Sequence, residues 1–196
     1  AFKLREIYKE IGEIEEISLQ YGFYSEGKRR ERKFLSSLGG GALLDIGIYN
    51  LGIPEMLEME NPEILKSKVV MNEYGTDKWS ETTLRYNKKT IVTTLNAIGE
   101  DIERVAVIKG EKGRIYIPDF QYLTSFTLEK DGEKKEYSSP IDYNGFEYEV
   151  RHFSECVKNN LSSSFIYTKE KSIDIANTIY RIRKLWNMKF DGVDND

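Results

Sequence analysis

Cysteine is nearly absent from this sequence of 196 residues, in which Cys156 is the only one. A single cysteine excludes an internal disulfide, so nothing indicates a disulfide-stapled secreted domain. No uninterrupted apolar run approaches the ~18 residues of a membrane-spanning helix. The opening residues, AFKLREIYKE, contain no apolar signal-peptide core. The default expectation is therefore a cytoplasmic protein without a membrane partner.

An excess of positive charge is also missing. Lysine and arginine number 29 against 33 aspartates and glutamates, which gives a net charge of −4. A mildly acidic chain lacks the basic surface that nucleic-acid binding requires, so no nucleic-acid partner is expected. Hydrophobic residues at 39% and charged residues at 32% are typical of a folded globular protein. The length fits one domain, and we treat residues 1–196 as that domain.

Metal ligands in a usable pattern are lacking as well. His152 is the only histidine, and the carboxylates are scattered, so the sequence predicts no metal site. His152 falls in a helical pattern at residues 145–158 and is expected to be a surface or structural residue. Cys156, one helical turn further along, is expected to be a small core residue rather than a nucleophile.

Hydrophobic periodicity indicates a short helix, a strand and then a strand-rich middle. Residues 2–11 carry apolar positions at helical spacing, and residues 17–23 alternate between apolar and polar. Asp131 and Gly132 form a hairpin turn signal. Three pairs of β-branched runs joined by short turns predict hairpins, with strands at 81–86 and 90–97, 104–110 and 113–118, and 125–130 and 134–139.

The end of the chain changes to helical spacing. Residues 145–158 predict a helix with the apolar stripe Phe146, Val150, Phe153 and Val157. A second helix follows, with Thr168 as its N-cap and with the apolar stripe Ile173, Ala176, Ile179, Ile182 and Trp186.

This order of elements predicts an α+β fold, a largely antiparallel open-faced sheet with its helices packed on one face. The strands carry apolar residues on both faces, since Val69, Val70 and Met71 are consecutive, as are Ile91 and Val92. A sheet that is apolar on both sides needs a second cover. The expected cover is a second copy of the chain, which would make the protein a homodimer through its sheet face.

The stretch GGGALLDIGIYN, residues 39–50, is the part of the sequence that indicates chemistry. Its glycines permit close backbone approach, and residues 41–58 predict a nearly all-apolar helix that Pro54 should end or kink. Asp45 and Tyr49 are four residues apart and would share one face. A buried carboxylate needs a partner. Asp45 and Tyr49 are therefore either satisfied structural groups or a carboxylate and a phenol presented together at a cleft for proton handling.

Several strings together resemble the Gfo/Idh/MocA oxidoreductase family, whose members include glucose–fructose oxidoreductase, inositol dehydrogenase and dimeric dihydrodiol dehydrogenase. GGGALLDIGIYN resembles the signature helix of that family, and IGEIEEISLQYGF resembles its first strand after the interdomain hinge. AVIKGEKGRIYIP resembles its G-x-x-G-x-I-x-I-P hairpin, and the two closing helices also resemble the family's. The resemblance implies a fold like the C-terminal domain of glyceraldehyde-3-phosphate dehydrogenase.

The resemblance also implies a function. Members transfer a hydride between NAD or NADP and a carbinol carbon of a sugar, polyol or related alcohol, so a small-molecule substrate is expected. Asp45 matches an aspartate that lies near a catalytic lysine of the family's N-terminal domain. Tyr49 stands where many members have histidine and where the dihydrodiol dehydrogenases have tyrosine. By the same resemblance, Asp45 and Tyr49 are the expected catalytic residues.

Two features of the family are missing from these residues. No G-x-G-x-x-G turn and no Glu-Lys-Pro motif occurs. The chain is therefore expected to be the substrate-binding and oligomerising domain alone, without the N-terminal Rossmann domain, and to bind no dinucleotide by itself. The partner of Asp45 is then expected to be a lysine outside this chain. The alternative is a non-catalytic binding or assembly module that kept the fold.

The basic run GKRRERK, residues 27–33, has two interpretations. It is expected to be a solvated loop. In the other interpretation Arg32 reaches the substrate or a cofactor phosphate, because a guanidinium suits such groups and family members place an arginine shortly before the glycines. Tyr24, at the end of the first strand, is a further candidate substrate-binding residue.

Overall fold

The computed structural model describes residues 2–25, 32–190 and 194, and these form one eight-stranded sheet with helices. The α-helices are α1 (Phe2–Ile7), α2 (Ile48–Met56), α3 (Phe146–Lys158) and α4 (Lys169–Leu185). Short 3₁₀ turns span Tyr8–Ile11 and Ser36–Leu38, and Leu43–Gly47 is a π-helix. The strands are β1 (Ile14–Phe23), β2 (Glu63–Met71), β3 (Asp77–Tyr86), β4 (Thr90–Ile98), β5 (Ile102–Gly110), β6 (Gly113–Pro118), β7 (Ser125–Lys130) and β8 (Glu133–Ser138).

The sheet has the order β2-β3-β4-β1-β5-β6-β7-β8. Every neighbouring pair is antiparallel except β1 and β4, which run parallel. The predicted α+β fold with a largely antiparallel sheet is therefore confirmed. The parallel pair was not predicted, because it joins two segments far apart in sequence and leaves no local turn signal.

All three predicted hairpins are present, as β3–β4, β5–β6 and β7–β8. The turn of the last one lies at Asp131 and Gly132, whose φ angles are +53° and +81°. Positive φ at both central residues matches the twist of the flanking strands, and an Asp-Gly pair adopts it readily. Local turn chemistry therefore favours the pairing of β7 with β8.

The core lies between one face of the sheet and the helices α1, α2 and α4. The helix α2 packs over β1 and β4, and α4 packs over α2 and β2. In α4 the predicted stripe is partly correct, since Ile179 and Ile182 are buried but Ile173 is exposed. Thr168 caps α4 as predicted, accepting a hydrogen bond from the backbone N–H of Lys171. The fully buried side chains in this layer include Ile17, Leu19, Leu43, Leu84, Ile108, Ile115, Ile117 and Ile182.

The helix α3 forms where it was predicted but faces the other way. Its predicted apolar stripe is exposed, with 64% exposure at Phe146 and 69% at Phe153. The side that packs carries Cys156, which is 5% exposed, and the partly buried His152. The periodicity correctly identified which residues of α3 share one face, but it could not show whether other described residues would bury that face.

The second face of the sheet has no helix over it among the described residues. It mixes charged and apolar side chains, as in the cross-strand pairs Lys68–Glu81 and Val107–Tyr116. The predicted apolar character on both sides is thus only partial, although Val70 remains 45% exposed. The homodimer stays a prediction. No helix of the described residues is long and apolar enough to cross a membrane.

The outward stripe of α3 generates a stability prediction. We expect Phe153→Ser to change the free energy of unfolding by no more than about 0.5 kcal/mol, because an exposed side chain loses little burial. The contrasting control Ile182→Ala, at a fully buried position of α4, should cost about 2–5 kcal/mol. Urea unfolding of both variants measures this. A loss above about 2 kcal/mol for Phe153→Ser would show that the stripe is covered.

Candidate functional site

The segment GGGALLDIGIYN does not form the uniform α-helix that the pattern predicted. Leu43–Gly47 is a π-helix, and α2 continues it from Ile48 to Met56. Pro54 does not end α2, which runs two residues past it. Short π segments occur often at functional sites, because the wider turn re-aims side chains. Asp45 lies inside this segment, four residues before Tyr49 in α2.

The start of the segment is held by a carboxylate that sequence reasoning missed. Asp77, at the beginning of β3, is fully buried and accepts hydrogen bonds from the backbone N–H of Leu43 at 2.8 Å and from Oγ of Ser80 at 3.2 Å. Gly41 has a φ of +111°, and a Cβ there would lie 2.4 Å from Oδ1 of Asp77. The buried acid that holds this helix is therefore Asp77, which lies in another element.

A chain of buried amides continues this anchor into α2. Nδ2 of Asn96 donates to Oγ of Ser80, the same hydroxyl that contacts Asp77. Nδ2 of Asn50 in turn donates to Oδ1 of Asn96 at 2.6 Å and to the carbonyl of Leu95 at 3.0 Å. A connected, buried polar network fixes geometry strongly, because each unpaired member would cost desolvation energy. The network thus locks the π segment and α2 onto β3 and β4.

Asp45 meets positive charge within its own chain. Nζ of Lys33 lies 3.3 Å from its Oδ2, and a terminal nitrogen of Arg32 lies 3.4 Å from its Oδ1. Lys33 also stands 3.7 Å from the ring centroid of Phe23. Asp45 therefore has partners within its own chain, which was not expected, and the approach of a further lysine from outside this chain stays a prediction. The sequence could not reveal this contact, because Lys33 belongs to a basic run that fits a solvated loop equally well.

Tyr49 belongs to an aromatic group centred on Tyr21 of β1. The two ring centroids are 6.1 Å apart, and Phe23 and Phe120 also pack against Tyr21. Tyr49 keeps 41% exposure. Burial raises the pKa of Tyr21, the charge of Arg104 opposes this, and Tyr49 and Asp45 reinforce it. Tyr21 therefore lies within electrostatic reach of both predicted catalytic residues.

Arg104 of β5 completes the group, and sequence reasoning missed it. Its guanidinium carbon lies 4.8 Å from the ring centroid of Tyr21 and 5.6 Å from that of Tyr122. Its Nε lies 3.1 Å from Oδ1 of Asp119, and its Nη1 donates to Gln121. The hydroxyl of Tyr21 donates to the same Gln121 oxygen at 3.1 Å. No local motif marks these residues, because strand pairing alone brings β1 and β5 together.

The other candidates lie elsewhere. Tyr24 is exposed, and its hydrogen bond runs from its backbone N–H to Asp101. Among the described residues, no hydrogen bond or ring pair joins Tyr24 to Asp45 or Tyr49. His152 shares a hydrogen bond with Ser164, and Cys156 lies 3.6 Å from His152, which fits the predicted structural roles. Residues 27–31 of the basic run lie outside the described residues, and no cluster of possible metal ligands occurs in the described part.

A separate groove of about 590 Å³ lies between the 3₁₀ turn at Ser36–Leu38 and the helix α4. Leu44, Ile48 and Tyr180 are among its lining residues, whereas Asp45 and Tyr49 are not. Titratable and stacking groups converge around Tyr21, so we take that cluster rather than the groove as the candidate functional site. We call Asp45, Tyr49, Tyr21, Arg104 and Lys33 the Tyr21 cluster.

The sequence is similar to a known protein family and to several named enzymes. A family profile described as the GFO/IDH/MocA C-terminal domain matches residues 3–116, more than half of the chain. A trans-1,2-dihydrobenzene-1,2-diol dehydrogenase of Xenopus tropicalis is 29% identical over 176 residues, which is 86% of this chain and 53% of that protein. The human enzyme of the same name is 27% identical over 160 residues, covering 77% and 48%. The chain thus spans about half the length of these relatives.

Solved structures share the fold. The 3-ketoreductase KijD10 from Actinomadura kijaniata, in complex with NADP and TDP-benzene, aligns with a TM-score of 0.81 at 16% identity, over 93% of this chain and 57% of that one. Aldose-aldose oxidoreductase from Caulobacter crescentus, complexed with glycerol, aligns with a TM-score of 0.75 at 18% identity, over 94% and 58%.

The buried anchor generates a prediction on pH. Burial raises the pKa of Asp77 from 3.8 to about 6, against the lowering effect of its hydrogen bonds. The folded state therefore holds the proton more tightly, so the stabilisation from protonated Asp77 is complete below pH 4 and is lost as the pH rises through 6. We expect wild type to lose about 2 kcal/mol relative to Asp77→Asn between pH 4 and pH 7.

Urea unfolding at several pH values measures this difference. The control Asp131→Asn removes the same charge at an exposed turn and should keep the wild-type pH dependence. Parallel pH profiles for wild type and Asp77→Asn would contradict the assignment.

Proposed function

The chain belongs to the GFO/IDH/MocA family, and from that premise we propose that it is the substrate-binding half of an NAD(P)-dependent oxidoreductase. The proposed reaction is at a CH–OH group of a sugar, a polyol or a related diol. Names of the relatives support this, since they include dihydrodiol dehydrogenases and a ketoreductase with NADP. The observation that carries the proposal is the Tyr21 cluster, which gathers a carboxylate, a half-exposed phenol and cations at one place.

The chemistry assigns a role to each proposed catalytic residue. Oxidation of a carbinol removes a hydride from carbon and a proton from oxygen, so a group must accept that proton. Tyr49, whose phenol is half-exposed and packs against Tyr21, is the proposed group that exchanges this proton. Its phenol would donate the proton to the carbonyl oxygen in the reducing direction, and the resulting phenolate would take it back in the oxidising direction. Asp45 is proposed to fix the local charge, since it already holds Lys33 and Arg32. Because Arg32 contacts Asp45, Arg32 would then lie beside the bound substrate.

The described residues do not fit a dinucleotide. A pyrophosphate needs free backbone N–H groups at a helix start behind a glycine turn. Here Asp77 already occupies the N–H of Leu43 and lies against Gly41. The glycine run is therefore the tight start of a helix and not a phosphate loop. The dinucleotide would be held outside this chain, and we assign no step to it.

Replacing the phenol tests the proposal. In a natural polypeptide that carries this chain together with a dinucleotide-binding half, Tyr49→Phe should lower kcat about 100-fold or more, because one proton-handling group is lost, with little change in NAD(P) binding. Tyr143→Phe, at a tyrosine that is 85% exposed, is the matched control and should leave kcat unchanged. Unaltered turnover of Tyr49→Phe would remove Tyr49 from the mechanism and favour a non-catalytic module.

We also propose that two copies associate through the open sheet face. Support comes from the face itself, which spans eight strands and has no cover among the described residues. A stable dimer buries about 800 Å² on each partner, and a face of this extent can supply such an area. Val107 and Tyr116 lie near its middle, beside a shallow depression of about 310 Å³.

A charge placed on that face tests the dimer. Val107→Lys should weaken self-association at least about tenfold, because an unpaired charge would be desolvated at the interface. The same substitution on the exposed stripe of α3, Val150→Lys, is the matched control and should leave association unchanged. Analytical ultracentrifugation at tens of micromolar measures both. A wild-type chain that sediments as a monomer would contradict the proposal.

A further inference from the structure

Arg104 has more donor capacity than its neighbours use. Among the described residues, the ion pair and the hydrogen bond of Arg104 use its Nε, which faces Asp119, and its Nη1, which donates to Gln121. The side chain of Arg104 keeps 29% exposure and that of Asp119 keeps 48%. Ion pairs with so exposed a partner contribute little and are screened by solvent. Asp119 and Gln121 therefore orient the guanidinium without saturating it.

Two aromatic rings lie close to the same guanidinium. The ring centroids of Tyr21 and Tyr122 are 4.8 Å and 5.6 Å from its carbon, which restricts the movement of the fork. A planar, pre-oriented arginine with free N–H groups binds carboxylate or phosphate oxygens in pairs, because its donors match their spacing. A lysine would supply the charge without the fork.

Arg104 is also close to the proposed reacting phenol. Tyr21 contacts both residues, at 4.8 Å from the guanidinium and 6.1 Å from the ring of Tyr49. One tyrosine ring thus separates Arg104 from Tyr49. A substrate whose reacting hydroxyl is bound at Tyr49 would then direct its opposite end toward Arg104.

We infer that Arg104 binds an anionic group of the substrate, so the site takes sugars or polyols that carry a carboxylate or a phosphate rather than neutral ones. This inference rests on the proposed substrate site. Asp45 does not supply a competing anion, because its charge is matched by Lys33 and Arg32. Asp119 lies 3.1 Å from Nε of Arg104, so what Arg104 offers to a ligand is its remaining N–H donors.

Calorimetric titration of the chain with three sugars tests the inference. Glucuronate supplies a carboxylate, glucose 6-phosphate supplies a phosphate, and glucose supplies neither. We expect at least one of the two anionic sugars to bind about tenfold or more tightly than glucose, and the preference to weaken as salt screens the charge. The anionic sugar that binds more tightly identifies the chemistry of the group.

Variants then assign the preference to one side chain. Arg104→Gln should abolish it, and Arg104→Lys should keep a part of it, since charge remains but the fork is lost. Arg114→Gln is the matched control, because Arg114 pairs with Glu129 on the open face of the sheet, and it should keep the full preference. Thermal unfolding of each variant verifies that it is folded.

The outcomes separate this inference from the proposed oxidoreductase. Equal binding of all three sugars, binding of none, or an unchanged preference in Arg104→Gln would overturn the role of Arg104 and leave the Tyr49 test standing. Anion binding that requires Arg104, together with unaltered turnover of Tyr49→Phe, would support the role of Arg104 while contradicting the catalytic proposal.

Discussion

The hydrogen bond from the backbone of Leu43 to the carboxylate of Asp77 is the contact on which the arrangement of the site depends. It fixes the first turn of the π segment against β3, and the amides of Asn50 and Asn96 fix the following helix against β4. Buried polar groups can hold a helix in this way because no alternative position satisfies them equally well. These buried residues thus determine the position of Asp45 and Tyr49, although they need not touch a substrate themselves.

Local signals in the sequence predicted much of the fold. The turn at Asp131 and Gly132, the alternation in β1 and the cap at Thr168 all depend on neighbours a few residues away, and each element formed where it was predicted. Phe153 shows the limit of such signals, because its helical face was identified and its surroundings were not. Burial depends on what covers a face, and no property of the helix itself encodes that.

The site was predictable only in the part that lies on one continuous segment. Asp45 and Tyr49 stand out because they interrupt an apolar run, whereas Lys33, Tyr21 and Arg104 come from a basic run and from two strands. Their meeting requires the strand order of the sheet, in which β1 lies beside β5. The parallel pairing of β1 with β4 places α2 over the same strands. The charged residues of the site therefore come together through the strand order of the sheet and not through a local sequence motif.

Gly41 and Asp77 restrict which residues each position can accept. A side chain at position 41 and a carboxylate at position 77 compete for the same space, since a Cβ would fall 2.4 Å from the oxygen. As long as Asp77 is present, a side chain at position 41 would collide with its carboxylate. A small neutral residue at position 77 would remove this clash, but the φ of +111° at Gly41 would still disfavour any other residue there.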